Sequence, residues 1–151
     1  MTWLWDLVTN PFFIAGVSSW FVAQVVKTII HLIINRRLVW ERMVGDGGMP
    51  SGHSATVTAL AMMSALQCGT GSFEFAVTAI LAIIVCHDAM GVRLETGKQA
   101  MMINEIIEVL SSEDLPEVKL KELVGHTPIQ VIMGVLIGAV NAVVLYLAFF
   151  R

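Results

Sequence analysis

Charge is scarce in this chain of 151 residues: Asp, Glu, Lys and Arg make up 14% of it, against 56% hydrophobic residues. With a mean hydropathy of +0.77, that excess is too large for one soluble core and suits a helical membrane protein. A surplus of basic residues is also missing. The formal net charge is −3, so nothing recommends nucleic acid as a partner. Cysteine is limited to Cys68 and Cys86, each in or at the end of an apolar run and without paired spacing. That argues against a disulfide framework or a zinc site and leaves both as small apolar side chains. Residues 1–6 lack the basic stretch of a cleavable signal, and Trp3 and Trp5 read instead as anchors at a membrane interface. Repeats and low-complexity tracts are absent as well.

Apolar runs are what the chain has in quantity. Residues 12–34, 51–69, 73–86 and 128–150 each form a segment to set against the about 20 residues that a bilayer crossing takes. The third of these is short. The expected fold is all-α: an integral membrane helical bundle of about four transmembrane helices plus interfacial amphipathic helices, one domain over residues 1–151. The turn Gly69-Thr70-Gly71-Ser72 makes the second and third helices antiparallel neighbours.

A polar insertion, residues 91–127, separates the third and fourth spans. Met102, Ile103, Ile106, Ile107 and Leu110 recur within it at helical spacing, Ser111-Ser112-Glu113-Asp114 interrupts the pattern, and residues 115–124 suggest a second short helix. These are either surface helices lying on the membrane or a lid over a site. Gly134, Gly138 and Ala142 form a small-residue stripe, suited to close packing within the bundle or against a second copy of the chain. The nine methionines, Met62, Met63, Met101 and Met102 among them, serve mostly as apolar filler.

With four crossings, Arg36, Arg37, Arg42, Arg93, Lys98, Lys119 and Lys121 fall on one side and Arg151 alone on the other. The excess of positive charge on cytoplasmic loops then faces the first group toward the cytoplasm. The location expected is a bacterial inner (plasma) membrane.

Three constellations carry chemistry. Gly45-Asp46-Gly47-Gly48-Met49-Pro50-Ser51-Gly52-His53 runs a glycine-rich turn into a long helix, aiming backbone N–H groups, a hydroxyl and an imidazole at one spot. An anion, above all a phosphate, suits that geometry, and the membrane setting puts the phosphate on a lipid. Lys27 lies inside the first span, where a cation costs about 2.5–3.5 kcal/mol. Gln24, Lys27 and His31 share a helical face, which turns toward a partner or a ligand unless Lys27 snorkels to the interface. Gly125-His126-Thr127-Pro128 opens the last span at the same rim as His53. Two histidines near a lysine and arginines suit a two-step phosphoryl transfer, one imidazole attacking phosphorus and the other protonating the leaving oxygen.

Gly47-Gly48-Met49-Pro50-Ser51-Gly52-His53-Ser54-Ala55, Asp88-Ala89-Met90-Gly91-Val92-Arg93 and Gly125-His126-Thr127-Pro128, in this order on membrane helices, resemble a small divergent branch of the type 2 phosphatidic acid phosphatase family, which is related to vanadium-dependent haloperoxidases. The similarity runs from Gln24 to Gly134. The resemblance implies that His126 is the nucleophile and forms a phosphohistidine, and that His53 is the general acid. It makes Ser51, Gly52, Lys27, Arg36 and Arg93 phosphate ligands and implies no metal or other cofactor, because the cationic side chains neutralise the phosphate.

The chain also departs from the family pattern. Eight residues separate Lys27 from Arg36, more than the family places there, and Arg37 follows where the family has proline. Val92 precedes Arg93 in place of serine, and the polar insertion separates Arg93 from His126. One helical turn after the nucleophile the family carries a carboxylate; here Gln130 stands there. Glutamine accepts a hydrogen bond but holds no charge, so Glu122 or Asp88 substitutes from another direction, or turnover is slow or absent. Asp88 is either a partner for Arg93 or a direct participant. Gln99 and Asn104 would hold the insertion near the site, and His87 reads as interfacial.

The function expected is a membrane lipid phosphatase acting on a lipid phosphomonoester or diphosphate, with the lipid phosphate substrate and membrane lipids as partners and a homo-oligomer as an option. The alternative is a non-enzymatic protein that binds or transports a phospholipid in the same pocket. A vanadate-dependent oxidase ranks last, because a membrane setting suits lipid substrates.

Overall fold

The structure is a computed structural model and describes residues 2–36, 48–110, 120 and 125–151. Glu122, Arg37, Arg42, Lys119, Lys121, the turn residues 45–47 and most of the second short helix expected at 115–124 lie outside the described residues. Among the described residues six α-helices follow one another: α1 Thr2–Val8, α2 Pro11–Asn35, α3 Gly52–Cys68, α4 Phe73–Met90, α5 Val92–Leu110 and α6 Pro128–Leu145. A π-helical turn, Tyr146–Phe150, continues α6.

Local sequence accounts for where the helices start. The Asn10 side chain accepts from the N–H groups of Phe12 and Phe13, with Pro11 in the first turn. Ser51 accepts from Ser54 N–H at the head of α3, and Ser72 from Phe75 N–H at the head of α4. Pro128 opens α6, where its missing N–H costs nothing. Helix α4 runs past the expected end at 86 to Met90, because the ladder continues until Gly91 N–H closes on His87 C=O at 2.9 Å.

Among the described residues, three segments are long and apolar enough to cross a membrane: Pro11–Asn35, Phe73–Val109 and Pro128–Phe150. Helix α3 differs from the other expected spans. Its 17 residues reach about 26 Å, somewhat less than the about 30 Å of a bilayer's hydrocarbon core. It sits at the centre of the bundle, packed against α6, α2 and α4. Its neighbours rather than lipid therefore cover the small residues Ser54, Ala55, Ala59, Ala61 and Ser64.

Glycine lets α6 approach α3 closely. A Cβ on Gly134 would run into the Ser51 carbonyl, and one on Gly138 into the Ala55 carbonyl. The small-residue stripe thus packs within the bundle. Deeper in, Asn141 Nδ2 donates to the hydroxyls of both Ser18 and Ser19 at 2.8 Å, tying α6 to α2. Ala15, Ala59, Met63 and Ala142 form the core nearest the chain's C-terminal end. The C-terminal end of α2 meets the N-terminal ends of α3 and α6 at the opposite pole. Outside the bundle, α1 keeps Trp3 and Trp5 exposed, and α5 exposes Met102, Ile103 and Ile106, as a helix at a membrane surface would.

Candidate functional site

Four helix ends bring a group of polar side chains together at that pole. Ser51 N–H donates to Gln130 C=O at 3.0 Å, joining the heads of α3 and α6. His126 N–H donates to Ala89 C=O at 2.9 Å, joining the head of α6 to the end of α4. Gly125, with φ +88°, lies against the backbone of Arg93 and Leu94 so closely that no Cβ would fit. This brings the start of α5 next to His126. From α2, the Lys27 stem passes 3.7 Å from where a Cβ on Gly48 would stand. The Gln24 carboxamide carbon comes 3.9 Å from the equivalent point on Gly52.

Burial is deep for such polar groups. Lys27 and Gln24 are each 4% exposed, His126 3%, and Ser51 and Ser54 fully buried. The Ser54 hydroxyl donates to Ser51 Oγ at 3.0 Å. Sequence reasoning missed Ser54 as part of this group; its only signal was a place one helical turn after Ser51.

Gln130 sits where the family carries a carboxylate, and its geometry sets the chemistry of His126. Gln130 Oε1 accepts from Thr127 N–H at 3.1 Å, the reaching-back half of a capping box. A backbone N–H can only donate, so the atom facing it is the amide oxygen. The same oxygen lies 3.2 Å from His126 Nδ1. Nδ1 must therefore carry the proton of the contact, which puts the imidazole lone pair on Nε2.

His53 stands elsewhere. It is exposed and borders an apolar groove of about 500 Å³ whose walls include Phe12, Trp20, Val57, Leu60 and Val85. Helix α3 faces α6 through Ser51, Ser54 and Ala55; one residue turns a helix by about 100°, which carries His53 to a different face. The helix register thus turns His53 toward the groove and the Ser51–Ser54 face toward α6. Groove and polar group meet at Gly52, where a Cβ would come 3.3 Å from Trp20 Cδ1 and 3.9 Å from Gln24 Cδ.

The two arginines lie at the margin. Arg36 caps α2 in the left-handed conformation, φ +51° and exposed, nine residues beyond Lys27 and hence about 13 Å farther along the axis. Arg93 Nε pairs with Asp88 Oδ2 at 2.6 Å, both side chains at least 40% exposed. An ion pair so open to solvent contributes about 0–1 kcal/mol. Asp88 is thus the partner of Arg93. Asn104 exchanges hydrogen bonds with the Leu120 backbone at 2.9 and 3.0 Å, fastening α5 to the segment that leads back to His126.

Comparison with known proteins adds a family and a relative. The sequence model of a family described as "Divergent PAP2 family" matches residues 8–141. A Bacillus subtilis (strain 168) protein described as "Uncharacterized membrane protein YuiD" is 41% identical over 152 residues, covering 93% of this chain and 96% of that protein. No solved structure matches.

Proposed function

This chain belongs to the divergent PAP2 family of membrane proteins, and from that premise we propose that it is a lipid phosphatase. The supporting observation is the Gln130–His126 contact at 3.2 Å: it orients a buried imidazole with Nε2 as the nucleophilic nitrogen, beside the head of α3. Nε2 attacks phosphorus and the bond from phosphorus to the lipid oxygen breaks. That oxygen takes a proton from His53, and a phosphohistidine forms. Water then attacks phosphorus and gives a proton back to His53, the P–N bond breaks with its electron pair returning to His126 Nε2, and phosphate is released. Lys27, Arg93, the Ser51 hydroxyl and the N–H groups of Gly52 and His53 balance the charge on the phosphoryl oxygens.

In-line displacement sets the nucleophile and the leaving group on opposite sides of phosphorus. A phosphoryl group held at the head of α3, between the face that carries His53 and the face that packs on α6 beside His126, would meet that requirement. The apolar groove beside His53 offers the lipid chain a seat that leads to Gly52.

Purified protein assayed for phosphate release from phosphatidic acid, phosphatidylglycerophosphate and polyprenyl phosphates tests this reading. Release from at least one is expected, and Gln130→Glu, which restores a charge beside the imidazolium, is expected to raise it by roughly tenfold or more, the worth of a hydrogen bond to a charged group. Gln130 also favours a second reading, a protein that binds or moves a phospholipid without cleaving it. Absence of release from both proteins, with lipid bound, would establish that second reading.

The site pole faces the cytoplasm in this proposal, by the excess of Lys and Arg at that end. With Cys68 and Cys86 replaced by serine, a cysteine at Gly71 is expected to react with an impermeant maleimide in intact cells. One at Arg36 should react only after lysis, and the reverse pattern would invert the orientation.

A further inference from the structure

Gln24 Oε1 is, among the described residues, the buried side-chain polar atom with no hydrogen-bond partner. The residue is 4% exposed, and an orphaned amide oxygen at such a depth is costly to keep. Leucine would fill much the same volume without that cost. Its position supplies the reason for glutamine. Cδ lies 3.9 Å from where a Cβ on Gly52 would stand, and Gly52 is the first residue of the 17-residue helix α3. The Ser51 hydroxyl caps Ser54 N–H, while the N–H groups of Gly52 and His53 point out of the helix end beside Gln24. Lys27 follows one turn later on the same face of α2, buried, with its stem against Gly48.

We propose that the Gln24 carboxamide is a direct ligand contact, gripping the phosphoryl group held at the head of α3. A monoprotonated phosphoryl group presents both of the things that an amide can pair with. Its anionic oxygen accepts from Nε2–H, and its P–OH donates to Oε1. Such a group would give Gln24 Oε1 the partner that no protein group supplies. The assignment rests on the phosphate-site reading above and adds to it a residue that the sequence pattern had singled out only as a neighbour of Lys27.

Binding, measured apart from turnover, separates this contact from a structural role. Wild-type protein, Gln24→Leu and Gln24→Glu are compared in detergent by thermal unfolding and by titration with inorganic phosphate. Phosphatidic acid in mixed micelles serves as a second arm. Wild type is expected to be stabilised by the ligand. Gln24→Leu should unfold at the same temperature as wild type or higher when empty, since it loses an orphaned polar group, yet bind phosphate about tenfold or more weakly. Gln24→Glu should bind more weakly still, because its charge repels the anion. A Gln24-dependent response to inorganic phosphate supports a site that reads the phosphoryl group alone, and one to phosphatidic acid only supports a site that reads it on lipid. Wild-type affinity in Gln24→Leu, or a lowered unfolding temperature of its empty form, overturns the assignment and leaves the phosphate site standing. Absence of any response from wild type overturns the site itself.

Discussion

Replacing His126 by alanine is expected to reduce phosphate release from the preferred lipid to background, a loss on the order of 10⁶-fold, the scale seen when a covalent nucleophile is removed. The argument rests on geometry particular to this imidazole. Nδ1 is committed to Gln130 Oε1 at 3.2 Å, so reactivity is confined to Nε2. The backbone bond from His126 N–H to Ala89 C=O does not involve the side chain, and Gln130 keeps Thr127 N–H as a donor. The variant should therefore fold, which circular dichroism and its unfolding temperature would check. Wild-type protein quenched during turnover should carry an acid-labile, base-stable phosphate, and His126→Ala none. Full activity in the variant would eliminate His126 as the nucleophile.

Lys27→Met is expected to lower kcat/KM on the order of 10²–10³-fold, the usual effect of removing one donor that stabilises a transition-state oxyanion. A cation near the middle of a span costs about 2.5–3.5 kcal/mol on insertion scales, and Lys27 is 4% exposed, so its charge is kept there at a cost; methionine removes the charge while filling the space of the aliphatic stem. Lys27→Arg should fall between the two. It keeps the charge, but its planar guanidinium needs a different cradle from the one beside Gly48. A Met variant as active and as stable as wild type would mean that the lysine only reaches for the interface.

Much of the bundle could be read from residues in order. Apolar runs marked α2, α4 and α6; Pro128 marked where α6 begins; Gly69-Thr70-Gly71-Ser72 marked the turn between α3 and α4. Helix α3 was harder to place among the spans. Its small and hydroxyl-bearing residues make sense once α2, α4 and α6 surround it, and no window along the chain reports that enclosure. The pairing of Asp88 with Arg93 was legible because five residues on one turn-linked segment keep the groups near each other. The site at the opposite level of detail was not.

Local chemistry alone settled that a glycine-rich stretch precedes a helix, that a lysine lies within a hydrophobic span, and that a histidine precedes Pro128. Those properties depend on neighbours a few positions away. Packing settled the rest: which face His53 presents, that Gln24 is buried with its oxygen unmatched, and that Gln130 turns back on His126. The rotational phase of α3 follows from the approach of Gly134 and Gly138 to its backbone. A helix rich in small residues carries no strong apolar stripe of its own to announce that phase, so only contact with its neighbours could select it.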